Sequence, residues 1–183
     1  GPEGRGSVAE LGLSEEDVPV LIGTLGKAVG TSGAFVAGPP MLMDYLVQKA
    51  RTYIYTTAMP PAIAMATISS LDLIERDQGC RDHVMGLVSR FRREASAMGY
   101  ELMPSRTPIQ PIMIGDNYGA LALSQALEKR GLLVSAIRPP TVPVGEARLR
   151  VTFSAAHSQE DLDCLLGGLS ECRHLLQKTD VAI

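Results

Sequence analysis

A short apolar run, Val18-Pro19-Val20-Leu21-Ile22, halts at Gly23 and passes into Thr24-Leu25-Gly26-Lys27-Ala28-Val29-Gly30. The run is rich in β-branched residues and predicts a buried strand, ended by the glycine. In the loop behind it a lone lysine stands between Gly26 and Gly30, which let the backbone pass close to a bulky group. Two readings of Lys27 stay open on local composition. It is either a surface lysine in a glycine-rich turn, or an amine that the flanking apolar segments partly desolvate and so free as a nucleophile. A nucleotide P-loop is not one of the readings. That motif would need Gly at position 21 and Ser or Thr at 28, where Leu21 and Ala28 stand.

Downstream of the loop, Ser32–Gly38 predicts a second buried strand. Pro39-Pro40 then opens a helix running to about Arg51, since proline's missing N–H needs no partner in a first turn. A third short β-branched run, Thr52–Ala58, ends at Met59-Pro60-Pro61. From Pro61 to about Met98 the pattern is helical, interrupted at Asp77–Gly79. Ala62, Ala66, Ser69, Leu73 and Ile74 make one face before the break, and Val84, Leu87, Val88 and Phe91 make another after it. Gly99 suits a helix C-cap. Beyond it, strands are predicted at Ile109–Ile114, Leu132–Ile137 and Ala147–Phe153, and helices at Asn117–Arg130 and Ser158–Gln177. Ser158 is the expected cap of the last helix, with Glu160 and Asp161 facing its positive end. The fold class is therefore α/β, with residues 1–98 a partial large domain and residues 99–183 a small α+β domain, one sheet with helices on one face. Residues 1–17 predict loop and a short helix, with Ser14-Glu15-Glu16-Asp17 as a capping cluster.

Bulk composition narrows the function classes. Net charge is −3, aromatic residues make up 4% and tryptophan is absent, which argues against a nucleic-acid partner. No apolar stretch approaches the length of a membrane span. Cys80, Cys164 and Cys172 have no CxxC spacing, so neither a zinc site nor a disulfide framework is expected; no metal is predicted. With no signal-peptide pattern in GPEGRGSVAELGL, the expected setting is the cytoplasm.

The segment Gly23-Thr24-Leu25-Gly26-Lys27-Ala28-Val29-Gly30 resembles the pyridoxal phosphate (PLP) lysine signature of the α-oxoamine synthases, which are fold-type I PLP transferases. In that family the lysine carries the cofactor as a Schiff base and then serves as acid and base at the substrate Cα, while the Thr three residues earlier contacts the cofactor phosphate. The resemblance thus gives Lys27 the first two roles and Thr24 the third. Tyr53-Ile54-Tyr55-Thr56-Thr57-Ala58-Met59-Pro60-Pro61 is similar to the family segment that reaches across a homodimer interface to the partner's phosphate. It implies that contact for Thr57, with Thr56 second, and an active site at the interface. Further on, Ile109–Asn117, Ala136-Ile137-Arg138-Pro139-Pro140-Thr141-Val142-Pro143, Ala147-Arg148-Leu149-Arg150-Val151-Thr152 and Ala155-Ala156-His157 look like the branch that joins L-alanine to a pimeloyl thioester.

The residues beside the Pro-rich turn have a physical reading of their own. Pro139-Pro140 restricts the backbone and is expected to hold Arg138 and Thr141 in an extended loop. Arg148 and Arg150 lie i, i+2 on a strand and share a face, with Val151 and Phe153 on the other. A guanidinium fork matches a carboxylate in charge and geometry. The resemblance makes Arg150 the partner of the amino-acid carboxylate and Thr141 a contact in the same pocket; Arg138 serves that carboxylate or the acyl-chain entrance. His157, at a strand-to-helix junction, reads as a structural cap, and His83 and His174 as helix-surface residues.

PLP also needs an acidic partner for its pyridine nitrogen, a ring-stacking His and a phosphate-binding helix N-terminus. In this family these lie upstream of the lysine, and none is found in residues 1–26. The chain therefore resembles roughly the C-terminal half of such an enzyme, whether as a truncated chain, a fragment or a half that pairs with another chain. Catalysis is not expected of these 183 residues by themselves. The alternatives are a sibling synthase using glycine or serine, and a non-catalytic dimerisation module of the same fold.

Overall fold

The computed structural model describes residues 1–176. The predicted end of the last helix at Gln177 lies outside the described residues. The chain divides into two compact units, Gly1–Gln78 and Gly79–Ile183. The division falls after the first residue of the long helix that precedes Gly99, and that helix buries its apolar face in the second unit.

In the first unit a short helix α1 (Gly6–Glu10) precedes strands β1 (Leu21–Thr24) and β2 (Ala34–Ala37), and helices α2 (Pro40–Lys49), α3 (Arg51–Ile54) and α4 (Pro61–Arg76) follow. β1 and β2 form an antiparallel hairpin, pairing Leu21 with Ala37 and Thr24 with Ala34. Both predicted strands exist, shorter than expected, but neither is buried: Ile22 is 68% exposed and Phe35 43%. Two strands make only a ribbon, and nothing among the described residues of this unit covers its faces. Leu25, at 7% exposure, is the one buried residue in 1–78.

The predicted run Thr52–Ala58 is not a strand. The helix from Pro40 stops at Ala50, whose ψ of 103° is extended, and one further turn forms as the Tyr53 and Ile54 amides both donate to the Ala50 carbonyl at 2.9 Å. Thr57 lies in the open loop beyond it. With no neighbouring strand to pair with, β-branched composition yields to local hydrogen bonding. In α4 the more protected positions are Ile63, Thr67, Ser70 and Ile74. Of the predicted face, Ile74 is half-buried while Ala62, Ala66, Ser69 and Leu73 are exposed; for those four the stripe is turned by one residue, because hydroxyl partners rather than apolar area set the contact.

The second unit holds α5 (Gln78–Ala97), β3 (Glu101–Leu102), β4 (Ile109–Gly115), α6 (Asn117–Glu128), β5 (Ser135–Ile137), β6 (Ala147–Thr152) and α7 (Gln159–Cys172). Asp77 alone separates α4 from α5. Gly99, at φ 80°, ends α5 as expected, and the Tyr100 amide returns to the Ala95 carbonyl at 3.0 Å. The strands form one antiparallel sheet in the order β3-β4-β6-β5. β3 was not expected, since two residues are too short to show a period. The core-facing side of the sheet carries Gln110, Ile112, Leu149 and Val151, and these pack with Leu87, Val88 and Phe91 of α5, Leu123 and Leu127 of α6, and Leu162, Leu165, Leu166 and Leu169 of α7. Phe91 and Phe153 meet with ring centroids 5.3 Å apart. Gln110 is fully buried yet satisfied: its Oε1 accepts from Arg92 Nη1 and its Nε2 donates to the Thr107 carbonyl, each at 2.6 Å. A reciprocal capping box between Ser158 and Asp161 starts α7. These hydrogen bonds hold the Asp161 carboxyl below the usual carboxylate range.

Candidate active site

Lys27 sits in the loop that joins β1 to β2. The loop is closed at its base by the Leu25 amide donating to the Gly33 carbonyl and the Thr31 amide to the Leu25 carbonyl, both 2.9 Å. At its tip, residues 27–30 make a turn in which the Gly30 amide donates to the Lys27 carbonyl at 2.9 Å. Gly30 completes that turn at φ 69°, a conformation that residues with a side chain rarely adopt. Lys27 and Thr24 are brought together, Nζ donating to the Thr24 Oγ1 at 3.2 Å. Both are exposed, so the expected partial desolvation of the amine does not occur within this unit. The hairpin carries too little apolar area to cover a lysine.

Sequence reasoning missed what supports the loop from behind. Ser70 Oγ donates to the Val29 carbonyl at 2.6 Å, and the Thr31 and Thr67 hydroxyls lie 2.9 Å apart. The available signal was Thr67 and Ser70, two hydroxyls three residues apart and so on one face of α4. Thr57 is exposed and makes no hydrogen bond among the described residues, whereas the Thr56 hydroxyl is bound to the Thr52 carbonyl. Two residues further, Met59 reaches the lysine loop: a methyl added at Gly33 would lie 3.0 Å from its Cε.

In the second unit, Arg148 and Arg150 share the sheet face opposite the core, as their spacing predicts. Arg150 pairs in register with Pro111 of β4 and Ser135 of β5, and is exposed. Arg148 is held: its Nη2 lies 2.9 Å from Glu146 Oε2, its Nε donates to the Glu146 carbonyl at 2.9 Å, and its Nη1 lies 3.0 Å from Met103 Sδ. The segment from Arg138 to Thr141 is a tight turn and not the expected extended loop, because the Thr141 amide donates to the Arg138 carbonyl at 2.9 Å. Both residues are exposed and brought close to each other by that turn. A cavity of about 480 Å³ opens beside it, lined by Gly115, Asp116, Asn117, Pro139, Val144 and Gly145. His157 closes the junction of β6 and α7: its Nδ1 accepts from the Ser154 amide at 3.1 Å and its carbonyl lies 2.8 Å from His83 Nε2. His174 lies in the turn after α7, its Nδ1 2.8 Å from the Glu171 carbonyl.

An exposed amine on a glycine-flanked loop, beside a hydroxyl, suits a cofactor that carries both an aldehyde and a phosphate. The profile of the class I and II aminotransferases matches residues 3–169. The chain belongs to that family. Its fold is that of the fold-type I PLP transferases. An 8-amino-7-oxononanoate synthase from Marinobacter nauticus is 69% identical over 178 residues, covering 97% of this chain and 45% of that protein. A crystal structure of 8-amino-7-oxononanoate synthase from Francisella tularensis aligns at TM-score 0.83 and 30% identity, covering 93% of this chain and 50% of that one. A serine palmitoyltransferase from S. paucimobilis, solved with bound PLP–myriocin aldimine, aligns at TM-score 0.87 and 27% identity over 97% of this chain and 45% of that one. The chain thus spans about half the length of the curated relatives it matches. Among the described residues, no helix is long and apolar enough to cross a membrane.

Proposed function

We propose that this chain supplies the cofactor lysine and the carboxylate-binding arginine of an 8-amino-7-oxononanoate synthase. This is a cytoplasmic PLP-dependent acyltransferase of biotin synthesis that condenses L-alanine with a pimeloyl thioester and releases CO₂. The observation that carries the reading is the 69% identity to such an enzyme over nearly the whole chain. That identity also favours alanine over the glycine or serine of sibling enzymes.

When bound, PLP would act as an electron sink that stabilises a carbanion at the substrate Cα. Lys27 would anchor the cofactor aldehyde through its Nζ and then hold or move the proton at the substrate Cα; its exposure on the loop leaves the amine accessible. Thr24, whose Oγ1 already meets the amine, would hold the phosphate. Arg150 would orient the amino-acid carboxylate with a two-pronged hydrogen bond. Thr141 would line the same pocket, and Arg138 would serve that carboxylate or the entrance of the acyl chain. Thr57 would reach the partner's phosphate in a homodimer whose active site lies at the interface. Its exposed loop and the helical turn before it, with Tyr53 at 65% and Tyr55 at 78% exposure, suit a surface that another chain covers.

Borohydride reduction of the full-length protein with PLP, followed by peptide mapping, is expected to label Lys27; a label on any other lysine sinks the assignment. Thiol release from a pimeloyl thioester should be fastest with alanine, and a preference for glycine or serine would move the protein to a sibling activity.

A further inference from the structure

We infer that Thr67 and Ser70 of α4 are positioning residues that clamp the lysine loop, so that Lys27 meets its cofactor from a fixed backbone. The inference rests on the proposed role of Lys27 and names what holds that residue in place.

The loop needs an outside anchor. Both strands that carry it are exposed, and Leu25 is the one buried side chain in the whole unit. Its internal hydrogen bonds use the amides of Gly30 and Thr31 and leave the Val29 carbonyl and the Thr31 hydroxyl to be held from elsewhere. There α4 approaches with a face on which two hydroxyls stand between Ile63 and Ile74. Ser70 takes the Val29 carbonyl, two residues beyond Lys27, at 2.6 Å. Thr67 takes Thr31, four residues beyond it, at 2.9 Å.

Counting protons fixes the direction of the second bond. A hydroxyl has one hydrogen to give. Thr67 Oγ1 gives its hydrogen to the Ile63 carbonyl of its own helix at 2.8 Å, so Thr31 is the donor to Thr67. Thr67 is thereby a relay from the α4 backbone to the loop, which gives a threonine on the half-buried face of that helix a purpose. The two clamps hold the second half of the tip turn and the residue after it, and the Lys27 carbonyl accepts a bond inside that turn from Gly30. With both in place, the lysine backbone has little freedom.

Each clamp lost is worth roughly a fivefold shift in an equilibrium. The test uses the full-length protein with Ser70→Ala, Thr67→Val and Thr67→Ser. In the cofactor-free protein, amide hydrogen exchange at Gly30 and Thr31 should quicken about fivefold in S70A and T67V. Thr67→Ser keeps the hydroxyl and should restore the slow rate. The PLP concentration for half-maximal borohydride labelling of Lys27 should rise about fivefold in the same two variants and return in T67S. A purely structural role would lower the melting temperature without shifting the labelling midpoint, and that result overturns the inference. Unchanged exchange at Gly30 and Thr31 in both variants overturns it as well. If Lys27 of the unaltered protein takes no label, the proposed function falls, while quickened exchange would still support the clamp.

Discussion

Arg150→Gln should cost substrate affinity and almost no stability, while Arg148→Gln, two residues earlier, should do the reverse. Both arginines stand on the face of β6 away from the core, yet their surroundings differ. Arg148 is 15% exposed and holds Glu146 twice and Met103 once. Glu146 is 48% exposed, so solvent screens the ion pair to about 0.5–1 kcal/mol, and the bond to the Glu146 carbonyl adds about 1 kcal/mol. Arg148→Gln should therefore destabilise by about 1–2 kcal/mol. Arg150 faces Pro111 and Ser135, neither of them charged, and no carboxylate pairs with it among the described residues. Replacing it should move stability by no more than about 0.5 kcal/mol. In the proposed complex it would lose a charge-assisted bond to the substrate carboxylate, about 1.5–3 kcal/mol, which raises the alanine KM roughly 10- to 150-fold. The assay pairs alanine-dependent thiol release by the full-length protein with urea unfolding of both variants. An alanine KM unchanged in R150Q would refute the reasoning. So would an R148Q variant that loses affinity as severely while keeping its full stability.

Three further outcomes follow from the second unit. Phe91 is fully buried against Phe153, so Phe91→Ala should lower the unfolding free energy in urea by about 3–5 kcal/mol. Gln110→Leu removes a buried side chain that joins Arg92 to the Thr107 carbonyl and should cost about 1–3 kcal/mol, with Phe91 and its neighbours still packed; an increase in stability would show that Arg92 finds water instead. Burial pushes the Tyr100 hydroxyl, which donates to the Leu169 carbonyl at 2.7 Å, up to about 12. The folded protein thus keeps a proton that the unfolded chain releases near pH 10, so this stabilisation is whole below pH 10 and is lost as pH rises from there to about 12. Urea midpoints measured across that window should fall in the unaltered protein and fall less in Tyr100→Phe.

Much of the second unit was legible because its signals are local. Ser158 with Asp161, and Gly99 after Ala97, mark helix ends through bonds made within a few residues. The alternation Arg148-Leu149-Arg150-Val151 separates two sheet faces wherever the strand is placed, and the burial follows it. β3 escaped because two residues carry no period. The first unit was harder. Thr52–Ala58 looked like a strand by composition, but a strand exists only with a partner, and none stands beside it among the described residues. The stripe on α4 was right at Ile74 and off by one residue at its four other positions, because the helix meets the Val29 carbonyl and the Thr31 hydroxyl, which no periodicity on the helix reports.

The candidate site shows the same division. The sequence by itself determined that a lysine would follow a strand between glycines, with a threonine three residues earlier and two arginines on one strand face, since bond geometry and side-chain period need no distant contact. Only the tertiary structure decided that Lys27 is exposed and that Thr24 meets its amine. It also decided that Arg148 is tied to Glu146 and Met103 while Arg150 is left open, and that Thr67 and Ser70 hold the lysine loop. Those outcomes depend on which residues far apart in the chain come within about 3 Å of one another, and a hydrogen bond is made or lost over a fraction of that distance.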